Sequence, residues 1–333
     1  MFAVAIVAVV VIAATVVLTF EMSRKGRTDK YQLPVPTAPM PPAEVRVKAV
    51  ERRAEPMANG DVAAASGAVA IVCGMDEATA DRYEARNDAL RSIARRRDLP
   101  EKDVAALAAY LRSLDSAMRV ERVAALKNDV MNLLRGQEPP VAGLAETLIA
   151  MFDGNDISTH NSPTHNSQTR QHPPAVLDYC IQHLGAMQNG LDEATRRRVR
   201  DVFVRAAGDT CQPYAGTALY SLADDKRATR LDDAELRRLT VALCRPDANN
   251  AARIAAIQLA GERGYAEALP LVRETLSGPR RDAVLDIVCL GTLGLLGDTG
   301  DLQLASQFAN HDARRAVAAE AAIKRIKERT DAK

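Results

Sequence analysis

Apolar side chains recur every three or four residues through most of this chain, which is the spacing of the buried face of an α-helix. Val104, Leu107 and Leu111 form one such stripe. Each stripe needs a neighbouring element to cover it, so the helices must pack against one another. The pattern predicts two helical regions, 76–153 and 174–330, and no strands.

Capping residues mark where several of these helices begin and end. In "LDEA" and "LDDA", Asp192 and Asp232 are predicted N-caps whose side chains accept amide hydrogen bonds. Glu235 follows Asp232 by three residues, where a capping box places its acid. Pro139–Pro140 are predicted to open another helix, which Gly154 closes.

The last third of the chain repeats itself with a period of 33 residues. Helix pairs in one register bury their apolar stripes by stacking on each other, since no pair covers its stripe alone. Alanines in these helices allow close contact, and glycines allow the chain to reverse. The matching positions are Leu236, Leu269 and Leu302; Leu239 and Val272; Leu243 and Leu276; Ile254 and Ile287; Ile257, Leu290 and Ile323; and Gly261 and Gly264 with Gly294 and Gly297.

The stretch "DANNAARIAAIQLAGERGYAEALPLVRETL", residues 247–276, resembles a HEAT or HEAT-like repeat of two antiparallel helices, the second opened by "ALPLV". "HDARRAVAAEAAIKRI", residues 311–326, resembles the first helix of a closing repeat. The resemblance is good over 249–329 and fair back to 173. It implies an all-α fold, a right-handed α-solenoid of antiparallel helix pairs in 174–330, which commonly serves as a scaffold or docking surface.

The amino terminus, "MFAVAIVAVVVIAATVVLTF", is a run of 20 residues without a charge. As a helix it would be about 30 Å long, the thickness of the hydrocarbon core of a bilayer. We expect 1–21 to be a single transmembrane anchor, with residues 1–20 in the bilayer, rather than a cleaved signal peptide. Basic residues from Arg24 to Lys30 favour a cytoplasmic soluble part, and an extracytoplasmic location remains the alternative.

Two segments separate this anchor from the helices. Residues 22–60 are basic and then proline-rich, as in "LPVPTAPMPP", which predicts an extended, semi-rigid linker. Residues 61–75 are apolar but contain Gly67 and Gly74 and are too short for a second span. Their periodicity assigns them no structure.

Composition removes some classes of function. Lys and Arg number 44 and Asp and Glu 43, a net charge of +1, so no overall field favours nucleic acid as a partner. The chain has no Trp, which suits a core of small aliphatic side chains in closely packed helices. Five widely spaced cysteines without a C-x-x-C motif are expected to be buried hydrophobic residues: Cys73, Cys180, Cys211, Cys244 and Cys289.

Polar residues dominate 154–173, where three histidines lie close to acids. His160, His165 and His172 with Asp153 and Asp156 offer ligands for zinc or a similar ion. Their spacing matches no zinc motif, so a solvated loop between helical regions is the favoured interpretation.

Other patterns resemble chemical motifs but have structural explanations. Cys180 and His183 are three residues apart on one helix, where a thiol and an imidazole can form a nucleophile and its base. Cys180 also falls on the apolar stripe, which favours packing. The glycines of 291–301 lack the order of a phosphate-binding loop, and the runs Arg95–Arg97 and Arg196–Arg198 have acids nearby, which favours solvated faces.

Together these patterns predict a membrane-anchored scaffold or protein-interaction module without catalytic activity. No catalytic, cofactor-binding or metal-binding residue is assigned. The partner is expected to be another protein on the concave face, lined by helices that begin near Asp192, Asp232 and Ala268. The alternatives are an enzyme or metal-binding protein that uses the histidine loop or Cys180 and His183, and a self-associating structural protein of the cell envelope.

Overall fold

Every regular element in the described part of the chain is helical. The structure, a computed structural model, describes residues 59–154, 172–279 and 282–331. These residues form fourteen α-helices, with short 3-10 turns at Gln188–Gly190, Ala266–Ala268 and Thr299–Asp301, and contain no strand, which confirms the all-α fold class. The helices are α1 Asn59–Val72, α2 Tyr83–Ile93, α3 Glu101–Arg112, α4 Val120–Arg135, α5 Leu144–Asp153, α6 Pro174–Met187, α7 Glu193–Gly208, α8 Ala215–Ala223, α9 Asp233–Leu243, α10 Asn250–Arg263, α11 Leu269–Ser277, α12 Ala283–Leu296, α13 Leu302–Ser306 and α14 Ala313–Asp331.

The predicted anchor, 1–21, and most of the predicted linker lie outside the described residues. Met57–Lys333 forms one compact unit. Within the ranges that the structure describes, no helix combines the length and the apolar character needed to cross a bilayer.

The helices contact one another in a regular alternation. Consecutive helices pack in pairs, α1 with α2, α3 with α4, and so on to α13 with α14. We call the first helices of these pairs layer A and the second helices layer B. Neighbours within layer B contact each other along the whole series, as do neighbours within layer A except between α9 and α11. These two helices are joined by an ion pair, in which Arg237 Nη1 on α9 lies 3.1 Å from Glu267 Oε1 just before α11.

The pairing differs from the predicted repeat unit. The repeat unit predicted from the sequence joined α10 to α11. In the structure, the pair partner of α10 along the chain is α9, and α11 packs on α12. The hydroxyl of Tyr265, just after α10, donates to Asp233 Oδ1 at the start of α9 over 2.7 Å. The start of one helix therefore meets the end of the other, so this pair is antiparallel.

The 33-residue period corresponds to equivalent buried positions. Leu243 and Leu276 are both fully buried, as are Ile257 and Leu290. The match weakens at the surface, since Leu236 is buried while Leu269 and Leu302 are half-buried. These stripes belong to one continuous apolar core that runs from Ala65 in α1 to Ala322 in α14.

The apolar segment left unassigned by its periodicity, 61–75, lies largely in α1. Ala65, Val69 and Val72 are buried at spacings of four and three, so the helical face is present. The opposite face carries further alanines and Gly67 instead of polar residues, so the pattern is not amphipathic. The helix ends at Val72, and Gly74, two residues later, has φ of 68°.

The predicted caps are present at two of the three helix starts. The Asp192 side chain accepts from Thr195 N over 3.0 Å, and that of Asp232 from Glu235 N over 2.8 Å. The reciprocal half of the capping box is absent, because the Glu235 carboxylate lies 3.3 Å from Arg200 instead. Pro139–Pro140 precede the helix rather than open it, since α5 begins at Leu144 after a left-handed glycine.

Candidate functional site

Cys180 is a packing residue of α6. Its side chain is fully buried, and its Sγ lies 4.0 Å from Met151 Sδ in α5. Burial raises the pKa of the Cys180 thiol to about 12, although the charge of Lys127 opposes this. The thiol therefore stays protonated near neutral pH, where a nucleophilic cysteine must be a thiolate.

His183, one turn later, links two helices of layer B. It is buried, and its Nε2 lies 3.1 Å from Asn128 Oδ1 in α4. The amide oxygen is an acceptor, so a neutral imidazole donates from Nε2. Burial, aided by the charge of Arg135, lowers the pKa of His183 to about 4. At neutral pH the imidazole is thus an uncharged connection between α4 and α6.

The predicted histidine loop falls mostly outside the described residues, including Asp156, His160 and His165. Asp153 pairs with Arg205 of α7, with 2.6 Å between its Oδ1 and Nη2 of the arginine. His172 lines a cavity of about 360 Å³ together with Arg112 and Met151. Among the described residues no group of three His, Cys, Asp or Glu side chains is placed to hold a metal ion. The solvated loop therefore stays a prediction, with a metal site as its alternative.

The glycine-rich stretch 291–301 forms the end of α12 and a capped turn. The carboxylate of Asp298 accepts from Gly300 N over 2.8 Å, and that of Asp301 accepts from Asp298 N over 2.9 Å. These amides are therefore satisfied by the turn itself rather than exposed as a cradle for phosphate.

The two arginine runs lie on exposed faces next to acids. Arg97 contacts Glu138 at 3.3 Å, and Arg196 and Arg197 lie 3.1 and 3.0 Å from Glu193 one turn earlier. These are surface ion pairs of the kind that the sequence favoured over phosphate contacts.

A groove of about 510 Å³ crosses three consecutive helices of layer B, α6, α8 and α10. We call it the layer B groove. No sequence motif indicated it, because its lining residues come from three separate parts of the chain. It is lined by Gln182, Thr217, Tyr220, Ser221, Ala223, Asp224, Arg227, Leu259, Glu262 and Arg263.

The hydroxyl of Tyr220 is the unsatisfied group of this groove. It is buried and has no hydrogen-bond partner among the described residues. Burial raises the pKa of Tyr220, and the charge of Glu262 raises it further. The group is therefore a neutral hydroxyl that can both donate and accept, and leaving it unpaired costs about 1–3 kcal/mol.

Both arginines of the groove are paired with aspartates, and the remaining acid, Glu262, accepts from Gln258 over 2.9 Å. Arg227 Nε donates to Asp224 Oδ2 over 2.8 Å, and Arg263 Nη2 contacts Asp225 Oδ1 at 3.2 Å and the carbonyl of Ala223. A side chain at Gly185 would clash with the guanidinium of Arg227, so this glycine makes room for the pair. Such a rim favours an uncharged partner with hydrogen-bonding groups over an ion.

A second polar cluster lies inside the first two helix pairs. Arg86 and Lys127 are both 1% exposed, and their charges lie 5.1 and 5.3 Å from the centre of the Tyr110 ring. Lys127 Nζ donates to the carbonyl of Leu111 at the end of α3 over 2.7 Å. Burial lowers the pKa of Lys127 to about 8. Sequence reasoning missed this cluster, because arginine and lysine normally indicate a surface position.

No family model, curated protein or solved structure matches this chain. The HEAT-like resemblance therefore stays a prediction, and the function has to be argued from the geometry of the described residues.

Proposed function

We propose that the chain is a membrane-anchored α-solenoid of the HEAT-like type that docks another protein and has no catalytic activity of its own. Three features support a solenoid: consecutive helices pack in pairs, equivalent helices of neighbouring pairs contact each other, and the last third of the sequence repeats with a fixed period. Each pair then supplies the apolar cover for the next.

Layer B is the better candidate for the concave face. Gly216, Gly261 and Gly294 of layer B approach the next layer B helix so closely that an added Cβ would lie 3.0–3.3 Å from a backbone Cα. Neighbours in layer A are bridged by long side chains, as between Arg200 and Glu235. The narrower layer of a curved stack is the inner one. This proposal differs from the sequence-based expectation, which placed the concave face on the helices beginning near Asp192, Asp232 and Ala268, all of layer A.

The observation that carries the proposed docking site is the unpaired hydroxyl of Tyr220 in the layer B groove. An extended segment of a partner protein offers a backbone carbonyl or amide at every residue, and either one satisfies this hydroxyl. The groove is lined by two acids, Asp224 and Glu262, and two arginines, Arg227 and Arg263, which leave no net charge to attract an ionic ligand. The groove volume of about 510 Å³ lies within the range of roughly 300–1,000 Å³ found for ligand sites.

The anchor rests on the sequence of residues 1–21 alone. An uncharged run of this length followed by basic residues favours a single span with the solenoid on the cytoplasmic side. A reporter fused to the carboxyl terminus of the full chain tests this orientation, since cytoplasmic and extracytoplasmic reporters are active on opposite sides of the membrane.

Site-specific photo-crosslinking in native membranes tests the docking site. A photoreactive amino acid replaces Gln182, an exposed residue of the groove, and in a matched control it replaces Gln303, an exposed residue of layer A. We expect the same discrete protein to be captured from position 182 and not from position 303, and Tyr220→Phe to reduce that capture several-fold.

Capture of the same protein equally from both positions would remove the groove from the proposal. Capture of a second copy of this chain from position 182 would instead favour the self-associating envelope protein. Capture unaffected by Tyr220→Phe would show that the hydroxyl takes no part.

A further inference from the structure

A second cavity, of about 210 Å³, lies beside the loop that follows α3. Its lining includes Arg86 of α2, Tyr110 of α3, and Cys73 and Gly74, which follow α1. The loop residues 113–117 form the rest of the wall. The cavity is thus built by the first three helices and is separate from the layer B groove.

Arg86 presents an unsatisfied donor at this cavity. Its Nε donates to the carbonyl of Val72 and its Nη1 to that of Ala80, both over 2.9 Å. Nη1 also lies 2.7 Å from Asp115 Oδ2. Nη2 has no hydrogen-bond partner among the described residues, although the side chain is only 1% exposed. A buried guanidinium donor without an acceptor is costly, so this nitrogen is prepared for an acceptor that is not part of the described chain.

Gly74 lies directly against this guanidinium and leaves room beside it. An added Cβ at position 74 would lie 3.3 Å from Nη1 and 3.5 Å from Nη2 of Arg86. The backbone there has φ of 68°, which side-chain-bearing residues rarely adopt. The glycine thus both makes the turn and leaves the Arg86 side of the cavity open.

The acid beside Arg86 is already occupied, which leaves the Nη2 donor for a carboxylate from outside the described chain. Two buried cations, Arg86 and Lys127, flank the ring of Tyr110, and Asp115 is the carboxylate of the cavity wall. Both oxygens of Asp115 are occupied, because Oδ2 accepts from the hydroxyl of Tyr110 over 3.2 Å and pairs with Arg86, and Oδ1 accepts from Ala117 N over 3.2 Å. Neither oxygen of Asp115 is therefore free to accept from Nη2 of Arg86.

Asp103 is the other buried acid of these helices. It accepts the hydroxyl of Ser66 over 2.7 Å and does not line the cavity. It therefore leaves Nη2 of Arg86 without an acceptor.

We propose that this cavity, the Arg86 pocket, binds a carboxylate group, with one carboxylate oxygen accepting from Nη2 of Arg86. The volume is below the range of roughly 300–1,000 Å³ typical of sites for drug-sized ligands. The carboxylate belongs either to a small organic acid or to the end of a partner's chain, since the same chemistry recognises both.

Saturation-transfer NMR on the full chain in detergent tests this with four probes. Propionate represents a free acid, and the peptide acetyl-Gly-Gly-Ala with a free carboxyl terminus represents a chain end. Propionamide and the amidated peptide are their uncharged counterparts. We expect at least one carboxylate probe to bind, and its amide to bind at least tenfold more weakly. The stronger of the two carboxylates identifies the source.

Ser116→Phe fills the mouth of the pocket without removing a buried charge, because Ser116 is an exposed residue of its wall. We expect it to weaken carboxylate binding at least tenfold. Ser92→Phe, on the exposed face of α2, is the matched control and should leave binding unchanged. Absence of binding by either carboxylate, equal binding of acid and amide, or full binding in Ser116→Phe would each overturn the proposal.

Discussion

Layers A and B share one core but contact their own neighbours in different ways. In layer B, glycines bring consecutive helices close enough for backbone atoms to approach, as at Gly294, where an added Cβ would lie 3.0 Å from Ala322 Cα. In layer A, the neighbouring helices of the same region are joined by arginines that reach across to carboxylates, such as Arg273 to Asp301 at 2.7 Å. The contacts between neighbouring helices therefore differ in kind between the two layers, and the proposed curvature of the stack rests on this difference.

The two layers also differ in the kind of contact that joins neighbouring helices, which is close packing in layer B and ion pairing in layer A. Close packing tolerates little change in side-chain volume, whereas an exposed ion pair contributes little and is weakened by salt. Layer B is not purely apolar, since Arg315 of α14 pairs with buried Asp286 of α12 at 2.9 Å. Substitutions in each layer can test how far the contrast holds.

The largest effect is expected for Gly294→Val, which places a branched side chain against the backbone of α14. Overpacking of this kind should lower the free energy of unfolding by about 3 kcal/mol. Gly291→Val in the same helix is the control, because nothing lies within 4 Å of an added Cβ there. Urea unfolding should show a change within about 0.5 kcal/mol for the control. Equal losses would mean that helix propensity, not contact between helices, determines the result.

The second prediction concerns how much each arginine–carboxylate pair of layer A contributes to the free energy of unfolding. Asp301 is buried, so Arg273→Ala leaves its carboxylate without its main partner. We expect a loss of about 2 kcal/mol for Arg273→Ala and less than about 0.5 kcal/mol for Arg200→Ala, whose partner Glu235 is partly exposed. Chemical denaturation in low and high salt measures both. A loss for Arg200→Ala that matches that of Arg273→Ala would contradict the role assigned to burial.

Acid should weaken the link between α4 and α6 in layer B. The pKa of His183 is lowered to about 4 from its usual 6.5 by burial, so the unfolded chain binds more protons between these values. The stabilisation from neutral His183 is complete above about pH 6.5 and is lost as the pH falls toward 4, by about 2 kcal/mol at pH 5. Unfolding measured across this range should show a shallower slope for His183→Gln. An unchanged slope would mean that protonation of His183 does not contribute.

The smallest effect has the opposite sign. Tyr220→Phe removes a buried hydroxyl that has no partner among the described residues, so we expect the unbound protein to gain about 1 kcal/mol in stability. Tyr214→Phe is the control in the same helix region, because that hydroxyl donates to Asp209 over 3.1 Å, and its removal should destabilise. Thermal unfolding distinguishes the two, and a loss of stability in both would show that the Tyr220 hydroxyl is already satisfied.

Local patterns in the sequence predicted helices and caps, because both depend on residues within a few positions of each other. Asp192 and Asp232 cap their helices as expected. Glu235 departs from the prediction because Arg200, 35 residues away in sequence, competes for its carboxylate. The first helix was missed because alanines and Gly67 on its outer face remove the amphipathic signal.

The two cavities could not be predicted, because their walls come from residues that are distant in the sequence. Arg86 forms an ion pair with Asp115, which lies 29 positions later in the sequence, and the residues between them show only the usual pattern of amphipathic helices. A buried arginine has no local signature, since the same residue on an exposed face produces the same pattern of apolar neighbours. The Tyr220 groove depends in the same way on how α6, α8 and α10 are spaced.

The glycine contacts of layer B have a mechanical consequence. In the proposed stack, helices of layer B are held at fixed distances by their glycine contacts, whereas helices of layer A are joined by long, flexible ion-paired side chains. Bending should therefore change the helix distances in layer A more than those in layer B. Salt screens the ion pairs of layer A and leaves the glycine contacts of layer B unchanged. We therefore expect ionic strength to tune how widely the molecule opens.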